Sequence, residues 1–209
     1  FLSVLLISGC WAPIALFCWW ICYLSLVVAG QDFLSFQWDI LLLETGFLAI
    51  FLAPFQNFPK LSCQSSPSAS VLWLHRWLLF RLIFASGYVK LSSGDETWKN
   101  LTALNYHYET QPLPTLIGWY VHHFPEWFQK FSVSIMFGIE LFIPFCIFLP
   151  RRCRAFAGGV LIILQILIAS TGNYCFFNLL TIILCFLLFD DISLHRILPQ
   201  KLTSRFPHS

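Results

Sequence analysis

Six ionisable side chains mark where this chain can do chemistry. Glu44, Arg81 and Glu140 each lie inside a long apolar run. Lys90 closes one such run, and His107 and Glu109 alternate with Tyr106 and Tyr108 in a polar stretch. An ionised group at the centre of a membrane helix costs roughly 2.5–3.5 kcal/mol on insertion scales, so such groups turn inward and pair. A guanidinium can fork to two carboxylates, and an Arg81 clamp on Glu44 and Glu140 would join three helices. The same intramembrane trio would also suit a polar cavity for a ligand or a proton. Lys90 reads either as an end residue snorkelling to the interface or as a desolvated lysine acting as a base. In an extended stretch His107 and Glu109 share one face. There they either do acid–base work together or fix the loop by hydrogen bonding.

The elements that must position these groups are set by composition. Of 209 residues, 58% are hydrophobic and only 11% charged. A soluble domain carries about 25% charged residues, so too little charge is present to coat a water-facing surface. A soluble globule and a disordered chain are thereby excluded. A net charge of +2 is too small for a patch that tracks nucleic-acid phosphates. The apolar runs are continuous and do not alternate residue by residue, which argues for helices and against a membrane barrel.

At about 20 residues per crossing, the fold class expected is an all-α polytopic transmembrane bundle of about six spans, covering residues 1–191. A polar tail occupies 192–209. The expected spans are residues 4–29, 39–54, 71–91 and 131–149, followed by an apolar run over 155–189. That last run is too long for one crossing, and Gly172-Asn173 breaks it. Its second leg either crosses or re-enters. Pro13 marks a kink or a helix start, and Pro144 a kink. The chain opens on Phe1 without a Met and is expected to be a piece of a longer protein.

Basic residues orient the bundle. Arg151, Arg152 and Arg154 crowd a short loop, which places that loop in the cytoplasm. One span back, residues 92–130 fall on the lumenal side as a loop cap. That stretch contains Asn100-Leu101-Thr102, a glycosylation sequon, so the two signals agree on Asn100 as a glycosylation site. Trp119, Tyr120, Trp127 and Phe128, with His122-His123 among them, read as an interfacial aromatic belt on a short helix at the membrane surface. Most of the eight cysteines sit in apolar runs and act as soft hydrophobes. Cys153, within Pro150-Arg151-Arg152-Cys153-Arg154, is a palmitoylation candidate. No C-x-x-C pair, HExxH motif, Gly-rich phosphate loop or G-x-S-x-G elbow occurs, so no metal, no cofactor and no α/β-hydrolase activity is expected.

Several strings together resemble the lipase maturation factor family. They are Gly30-Gln31-Asp32-Phe33, Leu41-Leu42-Leu43-Glu44-Thr45-Gly46-Phe47-Leu48 and Trp77-Leu78-Leu79-Phe80-Arg81-Leu82. Further along come Tyr106-His107-Tyr108-Glu109-Thr110-Gln111, Gly172-Asn173-Tyr174 and Phe176-Phe177-Asn178-Leu179-Leu180-Thr181. The resemblance implies a multi-pass endoplasmic reticulum membrane protein that assists folding, assembly or export of secreted proteins. It implies membrane lipids, lumenal clients and other membrane proteins as partners, with client contacts carried by a large lumenal C-terminal domain beyond these residues. A more distant likeness links Gly87-Tyr88-Val89-Lys90-Leu91 and Trp98 to the vitamin K-dependent carboxylase membrane domain, whose lysine acts as a base on a quinol. That likeness implies an alternative: a membrane enzyme acting on a lipid or quinone through Lys90, His107 and Glu109. A transporter lined by Glu44, Arg81 and Glu140 is a third reading, without an internal repeat to support it.

Overall fold

The computed structural model describes residues 1–54 and 67–190. The described residues form ten α-helices and two 3₁₀ segments, with no strand among them. They fall into two compact units that divide within one helix, after Leu78.

The first unit holds α1 (Leu2–Ser8), α2 (Ala12–Gly30), α3 (Gln37–Leu52) and the start of α4 (Ala69–Ser92). The expected first segment is therefore two helices, parted where Gly9 and Trp11 take positive φ of 73° and 51°. Pro13 lies in the first turn of α2, where its missing N–H has no partner to lose; it starts a helix and kinks none. Helices α2 and α3 run antiparallel. Trp20 Nε1 donates to the Leu43 carbonyl at 2.9 Å, and Tyr23 Oη donates to Asp39 Oδ1 at 2.5 Å. Asp39 is buried in the first turn of α3, where the helix dipole favours an anion.

The second unit comprises the rest of α4, α5 (Glu96–Lys99), α6 (Ala103–Thr110), α7 (Leu116–His122), α8 (Glu126–Phe142), α9 (Arg151–Thr171) and α10 (Phe177–Phe186). Pro144 ends α8, and the chain continues as a 3₁₀ segment, Ile143–Phe148. That segment sets Phe145 against Phe80 and Phe84, with ring centroids 5.3 and 5.5 Å away. The core between α9 and α10 is aliphatic, with Leu161, Leu164, Leu184 and Leu188 buried. Gly158 lets the Phe189 ring lie close, since a Cβ there would stand 2.9 Å from it.

Among the described residues, three helical stretches are long and apolar enough to cross a membrane: Ala12–Leu34, Glu126–Phe148 and Arg151–Thr171. About six crossings were expected, and the remaining helices are shorter or less apolar. Helix α4 has the length, with 24 residues, but His75, Arg76, Arg81 and Lys90 dilute its apolar character. Helix α3 has 16 residues and α10 has 10. Ten residues rise about 15 Å, half of a typical ~30 Å hydrocarbon layer. The second leg of the 155–189 run is thus half a crossing of helix. Large apolar side chains remain exposed along the spans, among them Phe142, Ile163 and Leu167, and on α10 at Ile183. A helical membrane bundle accounts for such a surface, because a water-facing protein rarely shows contiguous apolar patches of this kind. All seven cysteines among the described residues are free thiols. Residues 192–209 and most of the loop after α3 lie outside the described residues.

Candidate functional site

Most of the sequence-predicted polar residues lie in the second unit, on the last turns of α4, on α6 and on the last turns of α8. The crossing of α4 and α8 is tight. A Cβ on Gly87 would stand 3.0 Å from Glu140 Cβ and from Leu141. One turn further along α4, Lys90 follows on the same face. Its Nζ donates to both oxygens of Glu140, at 2.5 and 2.7 Å. It also approaches Met136 Sδ at 3.7 Å and lies 5.5 Å from the Trp98 ring centroid. Glu140 is 4% exposed, so its carboxylate is compensated almost wholly by this one ammonium.

The geometry changes two expectations. Lys90 does not snorkel; its side chain turns onto Glu140. Glu140 in turn pairs with Lys90 and not with Arg81. Arg81 lies nine residues earlier on α4, about 13 Å along the axis, and is exposed. Glu44 is half-buried on α3 in the other unit. Depth counted from the start of each run placed Arg81 and Glu140 level, but α8 starts at Glu126, earlier than its apolar run does.

The stretch carrying His107 and Glu109 is helical, not extended. At 100° per residue the two side chains leave α6 about 200° apart, and they do different work. His107 stacks on Tyr174 in the α9–α10 loop, rings 6.0 Å apart and 7° from parallel, with Nε2 and Tyr174 Oη 3.2 Å apart. Burial, with the positive charge of Lys90 added, holds the His107 imidazole below its ordinary range. Burial pushes the phenols of Tyr108 and Tyr174 up. Glu109 points outward and meets His122 Nε2 at 3.3 Å. Lys90, His107 and Glu109 therefore form no single constellation: the first two sense each other electrostatically, and the third stands apart.

The sequence reading missed the residues that fasten this region. Gln111 Nε2 donates to the Thr171 carbonyl at 3.2 Å, and Thr115 Oγ1 donates to the Ser170 carbonyl at 2.8 Å. Those carbonyls end α9 and have no partner within the helix. Thr115 is also the N-cap of α7, accepting from Gly118 N at 3.0 Å. Gly118 is required by space, since a Cβ there would sit 2.5 Å from the Thr171 carbonyl oxygen. No side-chain pattern announced these bonds, since their acceptors are backbone carbonyls. The polar string of α6 is thus a clasp between the cap and the end of α9.

Asn100 is exposed at the C-terminus of α5, and Cys153 is exposed in the first turn of α9. Among the described residues no cluster of three metal-ligating side chains occurs.

Comparison with known proteins matches residues 1–196 to the family described as the lipase maturation factor transmembrane domain. Lipase maturation factor 2 of Xenopus tropicalis is 57% identical over 174 residues, covering 82% of this chain and 25% of that protein. Human lipase maturation factor 2 is 48% identical over 199 residues, 91% of this chain and 28% of that protein. Mouse lipase maturation factor 1 is 41% identical over 198 residues, 95% of this chain and 34% of that protein. The chain therefore spans between a quarter and about a third of the length of these curated relatives. No solved structure matches it.

Proposed function

The chain belongs to the lipase maturation factor family, and on that premise we propose that it is the membrane-embedded part of an endoplasmic reticulum factor that helps secreted proteins, lipases among them, to fold, assemble or leave the organelle. The match to the family's transmembrane domain over residues 1–196 carries this reading. The geometry fits it with a scaffold role. Gln111, Thr115, His107 and Glu140 each bond to a neighbouring helix or loop of the same unit. In this reading the membrane unit holds a lumenal cap in fixed relation to the lipid, and client contacts lie beyond these residues. Glycosylation at Asn100, palmitoylation at Cys153 and a cytoplasmic Arg151–Arg154 loop belong to the same proposal.

The experiment is removal and add-back. Cells lacking the gene should secrete less active lipase or less of some other secreted protein, and re-expression should restore it. Unchanged secretion across the secretome would overturn the reading. A second reading is the membrane enzyme, in which the Lys90 charge adds to the burial that already holds the His107 imidazole low. Against that chemistry, Nζ donates to both oxygens of Glu140 in this geometry, which commits it as a donor. Lys90→Ala that is fully active at normal abundance would end the enzymatic reading.

A further inference from the structure

Between Gln111 and Pro125 the chain carries no Asp, Glu, Lys or Arg, yet it presents Leu116, Ile117, Trp119, Tyr120 and Phe124 exposed, with Trp127 following on α8. A patch of this size facing water is rare in proteins that stay monomeric and soluble. Its position says what covers it. The buried side of α7, at Gly118, is pressed onto the terminal carbonyls of α9, and Thr115 bonds the same turn. Helix α9 is a span that ends at Thr171, and α8 is a span that begins at Glu126, four residues after α7. A short helix held against the end of one span and joined to the start of another sits at the boundary of the hydrocarbon layer. The exposed face continues into α8, where Trp127, Phe131, Ile135 and Phe142 lie exposed on the outer surface of a span.

We propose that α7 and the first turn of α8 form an interfacial anchor whose occupant is phospholipid, with Trp119, Tyr120 and Trp127 seated at the headgroup–acyl boundary. The residue types fit, because indole and phenol rings present an apolar body and a polar tip, which suits that layer. The anchor fixes the depth of the cap: α7 grips lipid on one face and the end of α9 on the other. This proposal stands without the client reading and fails separately from it.

The test uses the whole chain in phosphatidylcholine nanodiscs doped with phosphatidylcholine bearing a diazirine near the glycerol end of its acyl chain. After illumination, adducts are mapped by peptide mass spectrometry. Adducts within residues 116–127, at a density comparable to those at Ile135 and Phe142, are expected. Adducts at Ile135 and Phe142 with none in 116–127 would overturn the proposal and leave this face to a protein. In the Trp119→Ser/Trp127→Ser variant, labelling of 116–127 should fall several-fold while α8 labelling holds. Unchanged labelling would remove these rings from the anchor.

Discussion

The two ends of the α8–α9 pair are closed by different chemistry. Toward the cap, the fastening is buried or half-buried: Gln111 and Thr115 on the last carbonyls of α9, His107 on Tyr174 and, deeper along α8, Lys90 on Glu140. At the other end, Arg151 Nε meets Asp190 Oδ2 at 2.5 Å with the arginine exposed and the aspartate half-buried, and Arg154 Nε donates to the Leu188 carbonyl at 3.0 Å. An exposed ion pair is screened and contributes little. A buried one, once broken, leaves a charge with nothing to compensate it. The cap side is therefore specified residue by residue, whereas the arginine end rests on one partly exposed ion pair and one bond to a carbonyl.

The comparison breaks most visibly at Lys90. Lys90→Met strands the Glu140 carboxylate, and about 3–5 kcal/mol of stability should be lost. A thermal-unfolding series in detergent or nanodiscs reads this, and a loss below ~1 kcal/mol would mean the pair is solvated. Gly118→Leu comes next. Its side chain meets the Thr171 carbonyl, and overpacking of this kind costs about 1–3 kcal/mol, seen as faster hydrogen exchange in α7 with α10 unaffected. Thr115→Ala removes both a cap and a bond to α9, for about 1 kcal/mol. Arg151→Ala, at the far end, should change stability by less than ~1 kcal/mol and lose even that effect in high salt. If Arg151→Ala matches Lys90→Met, the contrast between the ends is wrong.

Titration sharpens the same contrast. The folded value of His107 is depressed, so the fold holds the neutral imidazole. The stability contributed there is complete above the ordinary value of about 6.5 and is lost as pH falls through the lower folded value. Corrected for the intrinsic exchange rate, protection of the α6 amides should fall as pH drops below about 6.5, and His107→Phe should flatten that dependence. The arginine end should show no such step in this window.

What was legible in the sequence follows from what each signal measures. Continuous apolar runs fix the existence and type of α2, α8 and α9, and Gly172-Asn173 marks the end of α9 because neither residue sustains the apolar pattern. Pairing across helices was not legible. Depth along a run carries no register between antiparallel neighbours, so Arg81 was set opposite Glu140 where Lys90 stands. Alternation of His107 and Glu109 with tyrosines suggested an extended stretch of loop, but eight residues between Thr102 and Gln111 suffice for two helical turns. The clasp at Gln111, Thr115 and Gly118 was invisible because its partners are backbone carbonyls, which no side-chain pattern announces.

The most direct measurement is secretion supported by the double variant Lys90→Met/Glu140→Leu. If the pair is a structural tie within a maturation scaffold, replacing both charges by apolar groups of similar size restores abundance lost in Lys90→Met and restores client secretion with it. A double variant that accumulates normally but supports no secretion would contradict the account and hand Lys90 to chemistry.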